Sequence, residues 1–396
     1  MSEYQYYEFR AIDRPLTPKE MDELRSLSTR AEITPTSFTN TYHWGDFKGN
    51  PAALMDRYFD AFVYVANWGT HRLMFRIPRR FLDAEAASAY CDGEVLSLKA
   101  KKEHVVLEFS SEDESGDEWT EGEHWMPSLI SLRAELMRGD FRALYLGWLA
   151  SLRSHGPDHG DGWDEEDADD DRPAPPVPPG LAQLSAPLRA LAEFLRVDDE
   201  LIEAAAAGSA GEPPSEPSRT ELARWVKGLP AADKDAYLLR FLTEEGDLLL
   251  RAELSKRFRE VTVPKGTRPT PGVERRTATQ LLAAHDALVE EKRRKSAERA
   301  ARERARRERE QAEARAKYLD ELAHREPATW REIDELIATK RPKDYDRAVT
   351  LLVDLRDLAG RSGRTAEAEA RILELRQRHS NKPSLLKRFD DKKLGK

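Results

Sequence analysis

A histidine, a carboxylate and four aromatic rings or turn residues sit within six positions, Tyr42-His43-Trp44-Gly45-Asp46-Phe47, the densest chemistry in this chain. An imidazole titrates near neutral pH, and a neighbouring carboxylate can orient it or share a metal with it. A second aromatic turn, Asn67-Trp68-Gly69-Thr70-His71, could lie beside the first. His43, Asp46 and His71 would then supply acid–base groups or three metal ligands. The plainer reading is an aromatic corner that packs the end of a sheet while the glycines turn the chain, and it carries more weight. Tyr42, His43, Trp44, Asp46, Asn67, Trp68 and His71 are therefore binding candidates, with no catalytic residue and no metal assigned.

Other reactive types are poorly placed. His155 and His159, with Asp158 and Asp161, have the composition of a metal site but lie in a Gly/Pro-rich stretch without supporting partners. The single cysteine, Cys91, follows no basic residue that would lower its pKa. One cysteine also excludes internal disulfides and multi-thiolate zinc, and fits a reducing compartment. No Gly-x-x-x-x-Gly-Lys-Ser/Thr, Gly-x-Gly-x-x-Gly or Gly-x-Ser-x-Gly run is present, so no cofactor is implied.

The second conspicuous chemistry is charge. Residues 291–317 hold twelve Lys/Arg against six Glu, whereas residues 158–171 hold nine acids and no base. From 275 to 326 neither Pro nor Gly intervenes, and Glu291–Lys295, Glu298–Arg302, Glu303–Arg307 and Glu313–Lys317 pair at helical spacing. One helix of about 80 Å is expected. Between Val289 and Tyr318 nothing apolar exceeds alanine, so a coiled-coil seam is missing there. A solvated single-helix spacer is the first reading. Binding of nucleic-acid backbone through Arg293, Arg294, Lys295, Arg302, Arg306 and Arg307 is the second.

The elements that must hold these residues follow from pattern. An α+β domain is expected over 1–155, which holds five of eight tryptophans. Its strands fall at 4–12, 72–77, 94–99 and 104–109, with 31–47 extended and broken at Pro35. Thr17-Pro-Lys-Glu20 is a capping box. Pro51 opens a helix that would bury Leu54, Met55, Tyr58, Phe59, Phe62 and Val65. Two helices, 127–138 and 140–153, join at Gly139. An acidic, then Pro-rich linker, 156–180, is too polar to order itself. A mostly α-helical C-terminal half follows: a helical segment 181–262, a linker 263–273, the long charged helix 274–326 and a helical hairpin 328–390, opened by a capping box at Thr329-Trp-Arg-Glu332 and ending in a frayed tail.

Two stretches resemble known families. Tyr4-Gln-Tyr-Tyr-Glu-Phe-Arg-Ala-Ile-Asp-Arg-Pro-Leu-Thr17, with His43-Trp-Gly-Asp-Phe-Lys-Gly49 and Ala66-Asn-Trp-Gly-Thr70, resembles an uncharacterised family of bacterial cytoplasmic proteins, over about the first third. That resemblance implies no activity. The run Lys343-Asp-Tyr-Asp-Arg-Ala-Val-Thr-Leu-Leu-Val-Asp-Leu-Arg-Asp-Leu-Ala359, continuing from His379 to Arg388, is similar to the helical tails of bacterial SWIM zinc-finger proteins, without the finger's cysteines. It implies a tetratricopeptide-like helix pair, with Ala348, Leu352, Leu355 and Leu358 facing Ala368, Ile372 and Leu375.

With no signal-peptide pattern at the N-terminus and no run of 18 apolar residues, a cytoplasmic protein with no membrane contact is expected. The modular order points to a non-enzymatic adapter with a protein partner. A nucleic-acid-associated factor and an enzyme built on His43 and Asp46 are the alternatives.

Overall fold

The computed structural model describes residues 3–113, 121–154, 173–209, 218–243, 247–262 and 275–395. The chain divides into two compact units, Met1–Glu291 and Lys292–Lys396.

The first unit is built on β1 (Gln5–Arg10), β2 (Glu32–Thr34), β3 (Ser37–Tyr42), β4 (Ala61–Ala66), β5 (His71–Pro78), β6 (Leu96–Ala100) and β7 (His104–Ser111). They form one antiparallel sheet in the order β2-β3-β1-β4-β5-β7-β6. Both faces are covered, so two cores result. Helices α1 (Pro18–Leu27) and α2 (Pro51–Arg57) close one face, where Phe9, Phe38, Phe62 and Met74 meet Leu24, Leu54 and Met55. The Thr17 capping box forms as expected.

The other face carries Val63, Val65, Leu73, Phe75, Leu107 and Phe109. It is covered by short α3 (Ala84–Ser88), α4 (Trp125–Leu129) and α5 (Leu132–Met137), with α6 (Arg142–Ser154), α7 (Ala186–Phe194) and α8 (Asp199–Ala206) packed alongside. Helices α9 (Arg219–Gly228), α10 (Ala231–Thr243) and α11 (Asp247–Thr262) follow, and α12 (Ala278–His324) is one unbroken helix of 47 residues, about 70 Å long.

Three expectations are corrected here. The helix from Pro51 ends at Arg57, and residues 61–66 form β4. Ala-Phe-Val-Tyr-Val-Ala is buried on both faces, so its apolar run has no period to separate strand from helix; β-branching and the Asp60 amide, which donates to Arg10 O, decide it. The helix expected over 127–138 is two short ones, α4 and α5. The proline run at the end of the expected linker is packed: Ala174, Pro175 and Pro178 are buried, Ala174 N donates to Arg276 O, and Tyr90 Oη donates to Pro176 O. Prolines carry preset φ angles, so ordering them costs little entropy. Residues 156–172, with His155, His159, Asp158 and Asp161, lie outside the described residues, as does the expected linker 263–273.

The second unit packs the end of α12 against α13 (Glu326–Ala338), α14 (Pro342–Arg361), α15 (Thr365–Arg378) and α16 (Pro383–Asp391). Ala348, Leu352, Leu355 and Leu358 are buried with Ala368, Ile372 and Leu375, the faces expected to meet. Arg315 and Tyr318 of α12 bind Asp354 at 2.6 and 2.7 Å. Thr329 is no cap: α13 begins at Glu326, and Thr329 Oγ1 donates to Arg325 O. Nor is the tail frayed, because Leu394 is fully buried and its carbonyl accepts from Arg376 at 3.1 Å. A hydrophobic side chain two residues from the end suffices to dock it.

Candidate binding surface at one end of the sheet

β1 lies between β3 and β4, with Gln5 opposite both Tyr42 and Ala66. The loop that leaves β3 and the turn that leaves β4 therefore emerge on either side of residues 4 and 5. Each residue holds one of them. The Gln5 amide donates to Asp46 Oδ1 at 3.0 Å and Gly45 O at 3.2 Å, while its carbonyl accepts from Tyr7 Oη at 2.7 Å and Tyr64 Oη at 3.1 Å. Burial raises the pKa of both tyrosines, so they remain donors. Tyr4 N donates to Asn67 Oδ1 at 2.9 Å and Asn67 N returns a bond to Tyr4 O at 3.0 Å. Gly69 closes the turn at φ +90°, where an added Cβ would stand 1.9 Å from Asp113 O.

On this fixed base stand two exposed rings. Trp44 is 68% exposed and Trp68 45%. The Arg30 guanidinium lies 5.9 Å from the Trp44 ring, and the exposed His43 sits 6.0 Å from Tyr4 and 6.4 Å from Trp44. Tyr42 is half-buried, edge-on to Tyr7, and accepts from Asn40 at 2.8 Å.

The structure does not bring His43, Asp46 and His71 together. His43 packs on Tyr4, whose hydroxyl accepts from Gly122 on one side of the sheet, whereas Asp46 binds Gln5 on the other. His71 is buried beneath α7, stacked on Phe194 at 4.8 Å with Nδ1 2.9 Å from Phe194 O. Burial pulls its pKa down to about 4, so it is a neutral core histidine donating to a carbonyl. No group of three metal-ligating side chains occurs among the described residues. What the arrangement offers is contact area from two tryptophans, flanked by one cation and one imidazole.

The other candidates lie on α12. Arg293, Arg294, Lys295, Arg302, Arg306 and Arg307 are exposed. Arg302 is tied to Glu298 at 2.5 Å, and Arg306 and Arg307 to Glu303 at 2.8 and 3.1 Å. Consecutive residues turn by about 100°, so Arg293, Arg294 and Lys295 point three ways and form no stripe. Charge nevertheless separates by unit. Residues 292–396 contain 30 Lys/Arg and 20 Asp/Glu, against 34 and 53 in residues 1–291.

Sequence reasoning missed one buried network. Arg133, 1% exposed, donates to both Asp13 oxygens at 2.8 and 2.7 Å and to Arg76 O at 2.8 Å. Asp60, equally buried, accepts from the amides of Ile12 and Asp13 at 2.7 and 2.8 Å and from Arg76 at 2.8 Å. Burial opposes the charge on both acids; it prevails at Asp13, lifting its pKa, while Arg133 and Arg76 hold Asp60 down. An arginine among Leu132, Leu136 and Met137 was the visible signal. Comparison with protein-family models, curated proteins and solved structures gave no match.

Proposed function

We propose that this chain is a non-enzymatic adapter in which the sheet end bearing Trp44 and Trp68 recognises a protein partner. The observation that carries this reading is the pair of exposed tryptophans on loops anchored by Tyr4 and Gln5. Trp is among the residues enriched at binding hot spots, and a large ring held on a rigid base is desolvated at little entropic cost. The second unit supplies a further helical surface. A cytoplasmic setting is part of the proposal: Cys91 is half-buried, and burial with Asp92 nearby pushes its thiol up to about 11, so it is a passive thiol. No helix among the described residues is long and apolar enough to cross a membrane.

The test is crosslinking in the native host followed by purification, with Trp44→Ala and Trp68→Ala in parallel. A stoichiometric partner crosslinked at 43–47 or 67–70 and lost in either variant supports the adapter. Partners retained in full by both variants would overturn it.

One observation favours a second reading, nucleic-acid association: the basic excess of residues 292–396, with its exposed arginines on α12. Backbone binding of that kind weakens steeply as salt rises. Affinity unchanged between low and physiological salt would exclude it.

A further inference from the structure

Among the described residues eleven large apolar side chains are exposed, and six of them fall between Leu222 and Leu242. On α10 the usual amphipathic arrangement is reversed. Asp233, Tyr237 and Arg240 face α11: Arg257 donates to Asp233 at 2.6 Å and to Tyr237 Oη at 2.7 Å, and Arg240 binds Glu253 at 3.1 Å. Its apolar residues face outward, with Leu238, Leu239, Phe241 and Leu242 exposed by 60, 61, 55 and 71%. At about 100° per residue, Leu238, Phe241 and Leu242 form one stripe, bordered by Lys234 and Asp235. On α9, Trp225 turns edge-on to Phe258 of α11, and Leu222 and Val226, one turn apart, are left outside.

The chain's own remaining segments do not match this face. The internal stretches outside the described residues contain only Trp119, Trp163, Val263 and Val273 as large apolar residues, scattered over four sites among acids and prolines. The exposed apolar area is on the order of 600 Å², the upper end of what a monomer's largest patch presents. A standard interface takes roughly 800 Å² from each partner, so this apolar area would supply most of one side. The border is also self-complementary. Lys234, whose exposed ammonium donates to Lys227 O at 3.2 Å, and Asp235 are adjacent and of opposite sign, so a two-fold pairing can set unlike charges across the seam.

We propose that the outward face of α10, with Leu222 and Val226 beside it in sequence, is where two copies of this chain pair about a two-fold axis. Sedimentation of the full-length chain over a concentration series tests this. The wild type sediments as a dimer. The variant Leu238→Glu with Leu242→Glu sediments as a monomer with unchanged far-ultraviolet circular dichroism, its dissociation constant raised at least about 100-fold. Asp235→Lys weakens the dimer roughly tenfold, and adding Lys234→Asp restores it. A wild type that remains monomeric up to about 100 μM, a dimer that survives the double glutamate substitution, or a charge exchange that restores nothing would each overturn the proposal.

Discussion

The side-chain amide of Gln5 donates to the carboxylate of Asp46 at 3.0 Å, tying the first residue of β1, an interior strand of the sheet, to the loop that carries Trp44. Because Gln5 is 2% exposed and also accepts from two tyrosine hydroxyls, it holds the loop from inside the fold. Gln5→Leu removes the acceptor that Tyr7 and Tyr64 share and is expected to cost about 1–3 kcal/mol in urea unfolding. It should also weaken partner binding. Trp44→Ala, by contrast, should change stability by no more than about 0.5 kcal/mol while abolishing the crosslink.

Arg133 answers the buried Asp60 and the half-buried Asp13, so removing it strands their charge. Arg133→Met is expected to destabilise the first unit by about 3–5 kcal/mol, read from the shift of its urea transition. Adding Asp13→Asn should recover part of that loss, since the uncompensated carboxylate goes with it.

His71 gives the stability a pH slope of known sign. Its folded pKa is about 4 against 6.5 for the free side chain, so below pH 6.5 the unfolded state takes up a proton that the folded ring refuses. Its contribution is whole above pH 6.5 and falls as pH drops towards 4, by about 3 kcal/mol in all. Urea midpoints measured from pH 4 to 7 should show this slope in the wild type. In His71→Gln the slope should be shallower by that amount.

Gly69 stands at φ +90° with Asp113 O where a Cβ would go. Gly69→Ala combines left-handed strain with a backbone clash and should cost at least about 2 kcal/mol. Amide exchange of the 67–70 turn should rise well beyond that of the remaining sheet.

In the second unit, Leu394→Ala should lower stability by about 2–5 kcal/mol, because the side chain is fully enclosed with Ile372, Leu385 and Phe389. Thermal melting reports it, and loss of the last three residues should act similarly.

The sequence made the strands legible where alternation or turn chemistry was strong, as in the 96–111 hairpin, and it made α12 legible through its unbroken charge pattern. It misled at 58–65, where aromatics at helical spacing also satisfy a strand buried on both faces. The Asp13–Arg133 contact joins residues 120 positions apart, a separation no local rule bridges. At the candidate surface, the residue types marked the place but not the direction of each ring. His71 and Trp68 look alike in sequence, and only the register of β4 against β5 sends one inward beneath α7 and leaves the other in solvent.

Arg276, just before α12, donates to Ala204 O at 2.9 Å while its own carbonyl accepts from Ala174. The chain thus departs after α8 and comes back beside it, with α9, α10 and α11 carried on the excursion between. Among the described residues of that excursion, Ala252 is buried in the sheet core, with Leu249 half-buried against it. Segments whose ends meet in this way can be spliced out or exchanged without rerouting the scaffold. The face on α10 therefore rides on a cassette: in genetic terms it can be gained or shed in a single event, leaving the sheet and its paired tryptophans intact.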